Sequence, residues 1–174
     1  YNSTLVNSPQ FTPFIGITGN GTSSYINTNY RSINGSTKMQ YNNISIGTAY
    51  TILPTFGDML GFRQNGYFRI EFIYSTANPE SIYINSNTVV TTQMVNNGDL
   101  ISMSRRSNDS YNEPYLNGVK GTEAYCLGDY AQGQNNTILE LCYRYVGNPS
   151  SFTDGTIGMS FYGSRLTEDE QASM

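Results

Sequence analysis

The chain has 174 residues, of which 13% are charged, 37% hydrophobic and 13% aromatic. This length allows one sizeable core, and the low charge together with many aromatic residues excludes an intrinsically disordered chain. The formal net charge is −4 and the chain has no His, so we expect neither nucleic-acid binding, which needs a basic surface, nor a His-based catalytic triad.

The sequence begins at Tyr1 without a signal peptide, and its apolar runs are too short to cross a bilayer. We therefore expect a domain excised from a longer chain, without membrane insertion. Residues 1–13 are polar, contain Pro9 and Pro13, and are predicted to be a lead-in or linker. Residues 14–174 are predicted to form a single domain.

Short apolar stretches separated by turn signals follow one another along the predicted domain. Strands are predicted at 14–18, 24–30, 38–50, 67–74, 81–85, 89–95, 100–106, 115–119, 138–146 and 156–161. Residues 53–62 are predicted to be an irregular crossing with a strand at its end, because they contain Pro54 and two glycines. Asn117 and Gly118 form the strongest local signal for a hairpin turn. Many short strands with frequent turns predict an antiparallel sandwich or barrel.

The last twenty residues predict a core strand followed by a short helix. Ile157, Met159 and Phe161 alternate with small residues, which predicts one apolar face of a strand. Thr167 and Glu170 have the spacing of a capping box at a helix N-terminus.

Four blocks of the sequence, at 17–26, 100–105, 115–119 and 139–170, resemble concanavalin A-like, laminin-G-like domains in the order in which that family carries them. The resemblance implies an all-β fold, an antiparallel jelly-roll β-sandwich of the concanavalin A-like lectin/glucanase type with a short C-terminal helix. Among such domains, the chain is most similar to those of bacteriophage virion proteins, either tail or capsid-associated.

This resemblance implies a non-catalytic carbohydrate- or receptor-binding module, located on a virion or otherwise extracellular and used in host attachment. The alternative is a structural virion module, for capsid decoration or tail assembly, without glycan binding. The expected partners are a cell-surface glycan or receptor, or other virion proteins, and homo-oligomerisation through the parent protein is compatible with either role.

Two polar segments rich in Tyr, Asn, Gln and Asp, at 107–113 and 128–136, are predicted to be loops that lie together at one edge of the sandwich. Tyr offers rigid contact area and a hydroxyl, while amides and carboxylates bind sugar hydroxyls. The alternative is that Asn, Ser and Gly simply form turns there. The candidate ligand-binding residues are Asn108, Asp109, Tyr111, Glu113, Asp129, Tyr130, Gln132 and Asn135.

We expect no enzymatic activity, because the sequence shows no His-based triad and no phosphate-binding glycine loop. Carboxylate pairs for glycoside hydrolysis could be Asp109 with Glu113 or Asp129 with Glu140. Isolated surface acids are far commoner than such pairs, so no catalytic residue is assigned.

No cofactor is expected. A calcium ion held by Asp109, Glu113 and Asp129 is kept as an alternative, since some members of the resembled family bind calcium at the edge of the sandwich. The two cysteines, Cys126 and Cys142, are too few for a disulfide framework, and a single bridge between them is left open.

Overall fold

The computed structural model describes residues 2–31, 43–64, 68–75, 78–84, 90–91, 96–105, 111–125, 137–145 and 148–174. The predicted fold is confirmed: these residues form a mostly antiparallel, two-sheet sandwich of the jelly-roll type with one short C-terminal helix. In chain order the elements are β1 (Thr4–Val6), β2 (Gln10–Thr12), β3 (Gly16–Thr18), β4 (Tyr25–Arg31), β5 (Ile44–Ile52), β6 (Phe56–Gln64), β7 (Phe68–Ser75), β8 (Asn78–Ile84), β9 (Val90–Thr91), β10 (Leu100–Arg105), β11 (Tyr111–Leu116), β12 (Val119–Lys120), β13 (Ala124–Tyr125), β14 (Thr137–Glu140), β15 (Tyr143–Tyr145), β16 (Asn148–Ser150), β17 (Thr156–Gly163) and α1 (Glu168–Ala172).

The strands divide between two sheets whose order differs from the order of the chain. The first sheet runs β1-β4-β14-β6-β7-β8-β9, with β15 and β16 joined to β6. The second sheet runs β12-β11-β10-β5-β17-β3-β2, with β13 paired to β11. Strands that are distant in sequence are therefore neighbours. The N-terminal strands β1 and β2 each form one edge of a sheet, and the C-terminal strand β17 lies inside the second sheet.

The segment predicted as a lead-in, residues 1–13, contributes a strand to each sheet. In β1, Thr4 pairs with Asn27 of the first sheet, and in β2, Phe11 pairs with Ile17 of the second sheet. The linker prediction is wrong for these strands, because their ladder hydrogen bonds outweigh the polar composition that suggested a linker. The boundaries of the domain stay a prediction.

The strand predicted at the end of the crossing at 53–62 is present, but it is longer than expected: β6 begins at Phe56 and continues to Gln64. Gly57 and Gly61 adopt positive φ within this strand. The register against β7 shifts between Asp58 and Leu60. Met59 is thus the extra residue of a bulge, and the two glycines that suggested an irregular segment lie two residues to either side of it.

The core lies between the two sheets and is made of aliphatic side chains and two tyrosines. Its buried members are Ile26, Tyr30, Ile44, Ile46, Tyr50, Leu60, Ile101, Met103, Ile138, Leu141 and Ile157. Leu139 of β14 is also fully buried, and Leu116 packs partly buried against the same cluster.

Of the three residues predicted to form the apolar face of β17, only Ile157 is in the core. Ile157 is in the core, but the pairing with β5 shifts between Ile157 and Met159, which leaves Gly158 as an extra residue. A bulge of this kind exchanges the two faces of the strand that follows it. Met159 is consequently 46% exposed, and Tyr162 packs against the core instead.

The short helix α1 begins as predicted and packs against the outer face of the second sheet. Thr167 Oγ1 accepts a hydrogen bond from Glu170 N, and Glu170 Oε2 accepts one from Thr167 N at 2.7 Å, which confirms the capping box. Gln171 exchanges buried hydrogen bonds with Ser102 (2.6 Å) and Ser104 (2.7 Å) of β10. The helix therefore covers the centre of this outer face.

Two further expectations concern membrane insertion and cysteine pairing. Within the described ranges, the structure contains no helix with the length and apolar character needed to cross a bilayer. Cys142 is buried, and Cys126 lies outside the described residues.

Replacing Gly47 by Ala should destabilise the protein by about 1–3 kcal/mol, as overpacking of a buried position generally does. A Cβ atom at Gly47 would overlap the Phe161 ring and lie 2.8 Å from the backbone oxygen of Ile101. The matched control is Gly121→Ala, whose Cβ would meet only Pro114, at 3.3 Å. Urea unfolding measures the free energy of unfolding of both variants. An equal loss of stability would contradict the close approach of Phe161 and Ile101 to Gly47.

Candidate functional site

The structure describes two of the eight residues predicted to bind a ligand. Tyr111 and Glu113 lie in strand β11 instead of the predicted loop at 107–113. The other six, Asn108, Asp109, Asp129, Tyr130, Gln132 and Asn135, lie outside the described residues. The predicted ligand-binding role of these eight residues stays a prediction.

Two exposed tyrosines form a pair at the edge of the second sheet. Strand β13 pairs with β11, and this brings Tyr125 directly opposite Tyr111. Their ring centroids are 5.3 Å apart in an edge-to-face arrangement, with Tyr111 39% and Tyr125 51% exposed. We call these residues the tyrosine pair. The sequence analysis missed Tyr125, because the pairing of a two-residue strand has no local signal.

A series of ionic contacts lies on the outer face of the second sheet, next to the tyrosines. Lys120 Nζ donates hydrogen bonds to Glu113 Oε1 at 3.0 Å and contacts Glu123 Oε1 at 2.6 Å and Glu168 Oε2 at 3.6 Å. Arg165 Nη2 donates to Glu113 Oε2 at 3.3 Å. We call Glu113, Lys120, Glu123, Arg165 and Glu168 the ionic network. Both oxygens of one buried carboxylate are thus bound by cations from different parts of the chain.

Local sequence explains how β11 and β12 present these groups. The predicted hairpin turn is confirmed: Asn117 and Gly118 both have positive φ and join the two strands. In this hairpin Lys120 pairs with Tyr115, two residues from Glu113 in the strand. Side chains two apart share a face of a strand, so Lys120 and Glu113 lie on the same side of the sheet.

The C-terminal segment completes the network. Arg165 and Glu168 come from the turn after β17 and from α1, about fifty residues beyond Glu113 in the chain. A Cβ atom at Gly118 would lie 2.9 Å from Ala172 Cα, so the hairpin turn and α1 are in close contact. The site therefore combines a hairpin edge with the end of the domain.

The charges shift the pKa values of the groups around them. The hydrogen bond to Glu123, followed by that to Glu113, raises the pKa of Lys120 well above its usual value and keeps it cationic. Burial, and then the Glu113 charge, raises the pKa of the Tyr115 hydroxyl. Among the described residues, neither the Tyr115 hydroxyl nor Arg165 Nε has a hydrogen-bond partner, although both are buried. Polar groups of this kind commonly bond to water or a ligand.

Glu140, which we considered as one half of a catalytic carboxylate pair, lies in the interior between the sheets. It is buried in β14 and accepts a hydrogen bond from Ser160 Oγ of the opposite sheet. Burial raises the pKa of Glu140, and the bond from Ser160 opposes that rise. Burial, and then the charge of Glu140, raises the pKa of the nearby Tyr162 to about 12. The proposed partner of Glu140, Asp129, lies outside the described residues.

In the part of the chain that the structure describes, no group of three or more His, Cys, Asp or Glu residues is arranged to hold a metal ion. Of the acids in the calcium alternative, Glu113 is bound by Lys120 and Arg165. Asp109 and Asp129 lie outside the described residues.

No protein-family model and no curated protein matches the sequence. Several solved structures share the fold. A sialidase of Trypanosoma rangeli, in complex with the inhibitor DANA, has a TM-score of 0.65 and 13% identity over 98% of this chain and 28% of its own. Domain 4 of AbnA, a GH43 extracellular arabinanase of Geobacillus stearothermophilus, in complex with arabinotriose, has a TM-score of 0.64 and 13% identity over 98% of this chain and 80% of its own. A mutant of the NanB sialidase of Streptococcus pneumoniae has a TM-score of 0.54 and 10% identity over 76% of this chain and 24% of its own.

These neighbours overturn the expectation that the protein is not an enzyme, because sialidases and a GH43 arabinanase are enzymes. The chain spans only 28% of the trypanosomal sialidase, so the part that is shared is a fraction of that enzyme. At 13% identity the likeness shows a common fold. The neighbours are β-sandwich domains of carbohydrate-active proteins. This agrees with the β-sandwich fold and the carbohydrate-related role that the resemblance in the sequence implied.

Replacing Glu113 by Gln should destabilise the protein by about 1–3 kcal/mol, because Lys120 and Arg165 lose a shared, buried carboxylate. The matched control is Glu123→Gln, which removes a more exposed partner of Lys120 and should cost less than about 1 kcal/mol. Urea unfolding at neutral pH measures both variants. Equal losses would show that the burial of Glu113 adds nothing to the ionic network.

Replacing Glu140 by Gln should stabilise the protein at neutral pH, because an ionised carboxylate at this buried position costs more than a neutral amide. The pKa of Glu140 is raised in the folded state. The stability that the protonated Glu140 gives the folded state is therefore fully present below the unfolded pKa and is lost as the pH rises through the folded pKa. The gain should therefore disappear below about pH 4. Unfolding curves across this pH range test it, with Glu168→Gln as an exposed control. A gain that persists in acid would contradict the assignment.

Proposed function

We propose that this chain is a carbohydrate-binding domain of a carbohydrate-active protein, and that the tyrosine pair and the ionic network form its sugar site. The observation that carries the proposal is the presence of two exposed tyrosine rings, 5.3 Å apart, on the face that also holds the buried carboxylate of Glu113. Domain 4 of the arabinanase, which has this fold, was solved in complex with arabinotriose, and this supports a sugar as ligand.

The two parts of the site supply complementary interactions. Tyr111 and Tyr125 offer apolar ring surface for the C–H face of a sugar and hydroxyls at their tips, with little loss of side-chain entropy. Lys120 and the partly exposed Glu123 are held by mutual contact at 2.6 Å, so they offer fixed donors and acceptors to sugar hydroxyls. Sugar sites need several such contacts together, because each hydrogen bond replaces one made with water.

The tyrosine pair also connects the two segments that the sequence predicted as binding loops. Tyr111 follows residues 106–110 directly, Tyr125 precedes residues 126–136 directly, and the two tyrosines are paired. This pairing supports the prediction that the two segments share one edge of the sandwich. Asp109, Tyr130 and their neighbours would then extend the sugar site beyond the tyrosine pair.

We further propose that the parent protein acts outside the cell, on a phage virion, and that the domain attaches the virion to a host glycan or receptor. The support is the resemblance of residues 17–26, 100–105, 115–119 and 139–170 to domains of phage virion proteins. Host attachment requires a site that is accessible at the surface, and the exposure of both tyrosines meets that requirement.

Replacing either Tyr111 or Tyr125 by Ala should weaken sugar binding about tenfold or more, as the loss of a stacked aromatic ring does at other recognition sites. Stability should change by less than about 1 kcal/mol, because both rings are partly exposed. The ligand is found on a glycan array that includes arabino-oligosaccharides and bacterial surface polysaccharides. Affinity is then measured by titration calorimetry and stability by thermal melting.

The matched control is Phe11→Ala. Phe11 is 63% exposed on β2, at the opposite edge of the same sheet, so its removal should leave affinity unchanged. Unchanged affinity in both tyrosine variants would place the site elsewhere on the sandwich. An array without any binding, together with tight binding to a virion protein, would instead favour a structural role.

A further inference from the structure

We infer that the sugar site selects uncharged oligosaccharides and discriminates against acidic ones. This inference rests on the proposed function, and it names the class of ligand for the same site. The argument comes from the charges around the tyrosine pair and from how each of them is already engaged.

The ionic network contains three carboxylates, Glu113, Glu123 and Glu168, against two cations, Lys120 and Arg165. The whole chain has a formal charge of −4. An anionic sugar therefore approaches a surface whose described charges sum to a negative value, and this lowers its affinity.

Both cations of the network are engaged by carboxylates. Lys120 Nζ lies within 3.6 Å of three glutamate oxygens. Arg165 binds Glu113, whose side chain is only 1% exposed. For an acidic sugar to bind either cation directly, it would have to displace one of these glutamates. If Glu113 were displaced, a buried carboxylate would be left unpaired, which is among the costliest changes a site can undergo.

An uncharged sugar avoids this cost. Its hydroxyls donate to the more exposed carboxylates of Glu123 and Glu168 and accept from Lys120 without breaking the ion pairs, because ionised carboxylates have several lone pairs and an ammonium has three donors. The ring surfaces of Tyr111 and Tyr125 are indifferent to the charge of the ligand.

The test compares matched glycans that differ only by one acidic group, such as lactose with sialyllactose and neutral oligosaccharides with their sulfated forms. Binding is measured on an array of such pairs, and then by calorimetry at low and moderate salt. We expect the acidic member of each bound pair to bind at least threefold more weakly, with the gap closing as salt screens the charges. A gap of less than threefold, or a preference for the acidic member, overturns the inference and leaves the proposed function standing.

A charge variant gives an independent measurement. Glu168→Gln removes the most exposed carboxylate of the network, and it should raise the ratio of acidic to neutral affinity about two- to threefold, the effect of one partly screened charge. No change in this ratio would show that the network does not set the selectivity. Failure of every glycan to bind would overturn the proposed function itself, and the two failures are thereby distinguished.

Discussion

The buried carboxylate of Glu113 is the constraint on which the outer face of the second sheet depends. A buried, ionised carboxylate is stable only when cations and hydrogen bonds replace the water it has lost. Lys120 supplies one cation from the hairpin next to β11, and Arg165 supplies the other from the C-terminal turn. The Glu113 carboxylate thus connects the C-terminal turn to β11, near the edge of the second sheet.

The attachment of the C-terminal segment to β11 determines which parts of the outer face of the second sheet are accessible to solvent. The strands under the C-terminal segment carry small polar residues on their outer side: Ser45 and Ser104 bond to each other at 2.7 Å, and Leu166 N donates to Ser45 at 2.6 Å. Gln171 then covers Ser102 and Ser104. The centre of the face is thereby closed, and the tyrosine pair at its edge remains exposed to a ligand.

The sequence predicted features that depend on neighbouring residues and missed those that depend on distant ones. The capping box at Thr167 and the hairpin turn at Asn117 are decided within four residues, so both were correct. The bulge at Gly158 was missed, because its position is defined by the pairing with β5, about a hundred residues away. A strict period of two cannot reveal a shift in register.

The candidate site shows the same division between local and distant information. Tyr111 and Glu113 were named from the composition of their segment, yet their surroundings come from Tyr125, Lys120 and Arg165, which sheet pairing and the C-terminal turn bring together. Nothing in the sequence near Glu113 indicates that it is buried. The lead-in was misjudged for a related reason, because β1 gains its stability from pairing with β4, a strand about twenty residues later.

The two buried glutamates show why a shared fold does not transfer chemistry. Glu113 is neutralised by two cations, whereas Glu140 lies between the sheets with a hydroxyl donor and a raised pKa. The first arrangement favours the ionised form of a carboxylate and the second favours its neutral form. Both depend on single residues, Lys120, Arg165 and Ser160, that a backbone similarity at 13% identity does not specify. The charge of each carboxylate is therefore decided by its own neighbours, and the shared fold does not determine it.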